Sequence, residues 1–169
     1  LSVGDDCAVT ELNRNQHLAI TTDTMVEGVH FLPSIRPADL AYKAVASNLS
    51  DLAAMGAEPA WMSLALTIPN IDHAWLTEFS ESFFSILDHY NVDLIGGDTT
   101  KGPLSITITA QGIIAKDKAL CRHNANVGDW IYVSGTLGDS AGGLSYLLQD
   151  KSAVNSAQEF LIHRQLRPS

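Results

Sequence analysis

Apolar and polar positions recur along this chain with two periods, and the changes between them mark its elements. His17 to Asp23, HLAITTD, is β-branched and apolar and reads as a strand running into an acid. From Pro37 to Met55 the apolar residues Ala41, Val45, Leu49 and Leu52 fall on one helical face, with Asp39 and Lys43 on the solvent side. Met62, Leu64, Leu66 and Ile68 alternate with other residues, as in a half-buried strand. Asp72 then stands where it can cap a long helix with the stripe Trp75, Leu76, Phe79, Phe83, Leu87 and Tyr90, which reads as core. VDLIGGDTTKG follows as a short strand and a glycine-rich turn, and Leu104 to Ile114 is the clearest alternating strand in the sequence.

The polar stretch AKDKALCRHNANVGD separates this block from WIYVSG, which reads as a new strand; Gly138 and Asp139 introduce the helical SAGGLSYLLQ, and QEFLIHRQL predicts a last helix. This order predicts an α+β domain over residues 1–117, with a β-sheet packed on helices, followed by the beginning of a second α/β domain over 118–169. Leu1 leads directly into VGDDCAV and the chain stops at RQLRPS soon after a helical pattern, so both ends are expected to lack neighbours.

With 169 residues, 46% apolar and 17% charged, the chain can bury a core and is not of the disordered class. A formal net charge of -9 argues against nucleic-acid binding, which needs clustered Lys and Arg, and means that any phosphate handled here needs metal ions in between. No apolar run approaches the roughly 18 residues of a membrane span, and Leu1 does not begin a basic-then-apolar signal sequence. Cys7 and Cys121 have no metal-knuckle spacing, read as small hydrophobes and fit a reducing cytoplasm, where we expect the protein.

The candidate chemistry lies in the acids. Asp6 sits in a Gly-Asp-Asp turn, Asp23 at a strand end after Thr21 and Thr22, and Asp98 in IGGDTT, where turns and strand ends bring side chains to the mouth of a site. Hard cations such as Mg²⁺ take oxygen ligands from carboxylates together with substrate phosphates, and acids beside Thr hydroxyls would make such a set. A surface turn at Asp6, a cap at Asp23 and a turn residue at Asp98 are the competing explanations. Asp51 lies roughly 110° from the centre of its helix's apolar stripe, a boundary position that leaves a metal ligand and a solvated rim carboxylate equally open. Its small neighbours Ala44, Ser47 and Asn48 would leave space for an ion.

GDDCAV, ITTDTMVEGVHF, DLAYKAVASNLSDLAAMGAEP and LIGGDTTKGPLSIT, in this order, resemble the thiamine-monophosphate kinase family, which shares the fold of aminoimidazole ribonucleotide synthetase; NVGDWIYVSGTLGDSAGGL resembles the opening of that family's second domain. The resemblance implies ATP-dependent phosphorylation of thiamine monophosphate to thiamine diphosphate, with the first domain forming half of a dimeric β-barrel in a homodimer. It implies Mg²⁺ ligands at Asp6, Thr21, Thr22, Asp23, Asp51 and Asp98, nucleotide contacts at Gly97, Asp98 and Arg122, and a thiamine-substrate contact at His30. Barrel formation is expected to bury strand faces such as Ile106 and Ile108. The family's leading segment and the rest of its second domain are not in this sequence, so the isolated chain is expected to catalyse little. Another ATP-using synthetase of the same fold and a catalytically silent metal-binding or dimerisation module are the alternatives.

Overall fold

In a computed structural model, residues 12–149, 153 and 155–168 are described. The chain divides into two compact units, Leu1–Cys121 and Arg122–Ser169. Asp6 and Cys7 lie outside the described residues.

In the first unit the order is β1 (Gln16–Val26), α1 (Pro37–Ala54), β2 (Glu58–Ile68), α2 (His73–His89), β3 (Asp93–Lys101) and β4 (Ser105–Ala115). The strands form one mixed sheet in the order β1-β4-β2-β3, with β4 antiparallel to both neighbours and β2 parallel to β3. A parallel pair needs a crossover, and α2 supplies it. The inner strand β4 shows why alternation is so legible here: Ile106, Ile108, Ala110 and Ile114 are buried while the residues between them are only partly covered.

The buried side of the sheet packs on the helices. Leu40, Val45 and Leu52 of α1 and Phe79, Phe83 and Leu87 of α2 join Met62, Ile106 and Ile108 in one core. Each such side chain contributes about 1.5 to 3 kcal/mol relative to exposure. Trp75, Phe79 and Phe83 stack along α2 at centroid separations of 5.0 and 5.9 Å. Asp72 caps α2 as its position predicts, accepting from the backbone N–H groups of Ala74 at 2.9 Å and Trp75 at 3.1 Å. Ser82 donates to the Ala38 carbonyl and Arg36 to Glu78, tying the start of α1 to α2.

Several expectations for the first unit need correction. Asp23 is not at a strand end and Asp98 is not in a turn: β1 runs on to Val26 and β3 runs through Asp98 to Lys101, because each pairs along its whole length with a neighbouring strand. Ile106 and Ile108 do not wait for a second copy; they are buried in the chain's own core under the helices. Tyr90, past the end of α2, is exposed, because the stripe ends where the helix does. Lys43 is half-buried, and desolvation holds its ammonium below its usual pKa, so it does not belong simply to the solvent side. Ala44 and Asn48 are buried in the packed face of α1 and do not form an open rim beside Asp51.

In the second unit, a 3-10 turn at Arg122–Asn124 is followed by α3 (Asp139–Leu148) and α4 (Ser156–Leu166). The helices cross closely at Gly143, where a Cβ would lie 2.0 Å from the Leu161 carbonyl oxygen. WIYVSG forms no strand: Trp130 to Val133 are irregular and exposed, Trp130 to 85%. A strand exists only by pairing, and all four strands among the described residues belong to the first unit.

Candidate functional site

Strand alternation decides what β1 presents. Thr21, Asp23 and Met25 point to the face that the helices cover, and Thr22 and Thr24 to the other. On that other face Thr22 and Thr109 share a hydroxyl hydrogen bond of 2.9 Å, and Thr24 and Thr107 another of 2.9 Å. The two threonines preceding Asp23 therefore cannot both offer hydroxyls to one site.

Thr21 makes the decisive contact. Its hydroxyl donates to Oδ2 of Asp51 at 2.6 Å, joining β1 to the last turn of α1 across 30 residues of sequence. The proton is committed to Asp51, while lone pairs on the Thr21 oxygen remain available. Asp51 is exposed and Asp23 partly covered, so both carboxylates are accessible to an ion. With Asp23 two residues from Thr21 on the same strand face, the set is two carboxylates and a hydroxyl, all hard oxygens. Among the described residues no three His, Cys, Asp or Glu side chains group as a metal site. Mg²⁺ is often held by one or two carboxylates with substrate phosphates and waters completing its shell, so this donor set fits Mg²⁺.

Asn48 is a functional candidate that sequence reasoning missed. It is 1% exposed, the one buried polar residue among those described. Its Nδ2 donates to the Ala44 carbonyl at 3.0 Å, and its Oδ1 is buried with no donor. An orphaned buried acceptor costs about 1 to 3 kcal/mol. The available signal was its place in the period of Ala41, Val45 and Leu52, where a polar residue must satisfy itself or serve something else.

Asp98 stands elsewhere. It pairs with Ala65, which pairs with Thr107 and, through it, with Thr24, the row facing away from the helices. β1 and β3 are the two edges of a four-stranded sheet, three spacings or about 14 Å apart. Within one copy of the chain the sheet therefore separates Asp98 from Asp23. Gly97 is required by packing: with φ 155° its Cβ would lie 1.9 Å from the Leu64 carbonyl oxygen, beside the register shift at Met62 and Ser63. Gly96 faces open space.

His30 sits in the turn after β1, exposed, with Nδ1 accepting the Val26 backbone N–H at 3.0 Å. That contact puts the proton of the neutral ring on Nε2 and leaves it free to donate outward. Arg122 lies in the 3-10 turn of the second unit and is exposed. The same unit holds a cavity of about 320 Å³ lined by Ser134, Gly135, Thr136, Asp139, Phe160 and Arg164; Thr136 donates to Asp139 there. One acid and one base on its wall give it no clear preference for an anion.

Residues 4–114 match the family described as AIR synthase related protein, N-terminal domain. The chain belongs to the AIR synthase-related family. Within it, the chain is similar to the thiamine-monophosphate kinase of Haemophilus influenzae, 65% identical over 169 residues, which cover 100% of this chain and 52% of that protein. A crystal structure of thiamine-monophosphate kinase from Stenotrophomonas maltophilia superposes with a TM-score of 0.93 at 45% identity, over 100% of this chain and 55% of that one. The structure of AaThiL complexed with AMPPCP and TMP superposes at 0.87 with 33% identity, over 94% of this chain and 52% of that one. The chain thus spans about half the length of these relatives, and the mixed sheet packed on helices is the fold it shares with them over that part.

Proposed function

We propose that this chain carries the ATP- and Mg²⁺-binding part of a thiamine-monophosphate kinase. The observation that carries the reading is the Thr21 to Asp51 bond, which builds a hard-oxygen site beside Asp23 in a chain so similar to named kinases along its whole length. The relative complexed with AMPPCP and TMP supports ATP and thiamine monophosphate as the two substrates.

In the proposed reaction an oxygen of the thiamine monophosphate phosphate attacks the γ-phosphorus of ATP. A new P–O bond forms, the bond to the bridging oxygen breaks, and ADP leaves with that electron pair, giving thiamine diphosphate. The attacking oxygen is already anionic, so the chain needs no strong general base, and its work is positioning. Bound Mg²⁺ would supply the positive charge that lets two anions meet on a protein of net charge -9. Asp23 and Asp51 hold it, with Thr21 oriented by Asp51. Thr22, whose hydroxyl is engaged with Thr109, has its backbone oxygen for that role, and Asp6 and, at the nucleotide phosphates, Asp98 complete the proposed ligands. Gly97 and Asp98 border the nucleotide phosphates, Arg122 contacts ATP, and His30 donates from Nε2 to the thiamine substrate.

We place the protein in the cytoplasm as a homodimer. The sheet face away from the helices is uncovered, with Ile20 61% exposed beside the threonine pairs. Closing two such sheets edge to edge into a barrel would set β1 of one copy beside β3 of the other. Light scattering on the intact protein should give a dimer; a clean monomer at micromolar concentration would sink this part.

The main test is Asp51→Asn in the intact protein. ADP formation dependent on thiamine monophosphate should fall by at least about 100-fold with an unchanged circular dichroism spectrum, as expected when charge on a metal is lost. Unchanged turnover would remove Asp51 from the site, and ADP formation indifferent to thiamine monophosphate would reject the substrate.

A further inference from the structure

We propose that Asn48 is a positioning residue for the cation held by Asp23 and Asp51, its buried Oδ1 accepting a hydrogen bond from a water on that cation. This rests on the Mg²⁺ reading above and extends it to a residue with no assigned role.

The amide is fixed in orientation by its surroundings. Nδ2 donates to the Ala44 carbonyl at 3.0 Å; exchanging the two amide atoms would turn an oxygen against that carbonyl and strand the NH₂ group instead. The open position is therefore an acceptor. It lies one helical turn before Asp51, the residue that Thr21 grips, and residues three apart on a helix are side-chain neighbours.

What fills the acceptor must arrive with the ligand. Ala44, Val45 and Leu52 flank Asn48 on the buried face of α1, so a water there alone would find too few polar partners to stay. A water already bound to a divalent cation has a second strong partner, and its polarised hydrogens make it a better donor. Outer contacts of this kind orient ligand shells and typically account for about 10-fold to 100-fold of metal affinity. The amide is also neutral, so it steers a bound water without adding charge to an acidic site.

The test is Asn48→Leu in the intact protein, a change of similar volume that deletes the orphaned acceptor. Titration calorimetry with Mg²⁺ alone should show a dissociation constant raised about 10-fold. The melting temperature without Mg²⁺ should be equal to or above the wild type, and the stabilisation that Mg²⁺ adds should shrink. Wild-type Mg²⁺ affinity in this variant would overturn the proposal, as would a lower melting temperature with unchanged affinity. If the leucine variant does not fold, Asn48→Ala also lacks the acceptor and is read by the same affinity. Asp51→Asn separates the two readings: loss of Mg²⁺ binding there with full binding in Asn48→Leu leaves the site standing and removes Asn48. No saturable Mg²⁺ binding by the wild type overturns both.

Discussion

β4 and the segment Trp130 to Val133 are both runs of good strand formers, and they end in opposite states. β4 has a neighbour on each side, so its backbone groups are paired and its Ile106 and Ile108 lie under the helices. Trp130 to Val133 pairs with no strand among the described residues, and its apolar side chains are exposed. β-propensity measures how well a residue fits a pleated, half-buried surface, so without the surface it decides little. The first unit is held by long-range pairing and a shared core, whereas the second is two helices meeting at Gly143.

Four substitutions would break or sharpen this contrast, each read as a shift in urea unfolding followed by circular dichroism. Phe83→Ala removes the most buried ring of the aromatic stack under the sheet and should cost about 3 to 5 kcal/mol. A cost below about 1 kcal/mol would mean that the core is not where the first unit gets its stability. Gly97→Ala forces a methyl group onto the Leu64 carbonyl and should cost roughly 2 to 3 kcal/mol by disrupting the β2 and β3 pairing. A neutral result would show that the parallel edge is not needed. Asp72→Ala removes the cap of α2 and should cost about 1 kcal/mol. Trp130→Ala, in this 169-residue chain, should change stability by less than about 0.5 kcal/mol, since the side chain is 85% exposed. A large loss there would show that the second unit has packing around Trp130 after all.

The candidate site divides along similar lines. Asp51 was placed at a helix boundary by periodicity, and it is exposed at that boundary. The contact that supports the proposed ligand role came from Thr21, which is 30 residues away and meets Asp51 only because α1 packs over β1. Thr21 and Thr22 looked equivalent as neighbours in sequence, and the pleat sends their hydroxyls to opposite faces. Asp98 had the same standing as Asp23 in the sequence, yet the order β1-β4-β2-β3 puts them on opposite edges. Ala44 and Asn48 were taken as an open rim because they are small, and helix packing buries both.

By itself the sequence determined both helices of the first unit, the strands β2 and β4, the cap at Asp72, the buried side of β4 and, through its motifs, the family. These are local or periodic properties, set by side-chain direction within one helix or strand. β1 and β3 instead run on past the strand end expected at Asp23 and the turn expected at Asp98. Only the tertiary structure decided the strand order, the partner of Asp51, the edge on which Asp98 stands, the steric need for Gly97 and the orphaned oxygen of Asn48. Each of those depends on which distant segment lies alongside, and a linear pattern does not encode that. The same dependence left WIYV without the strand its composition predicts: a strand's hydrogen bonds are made by its neighbours.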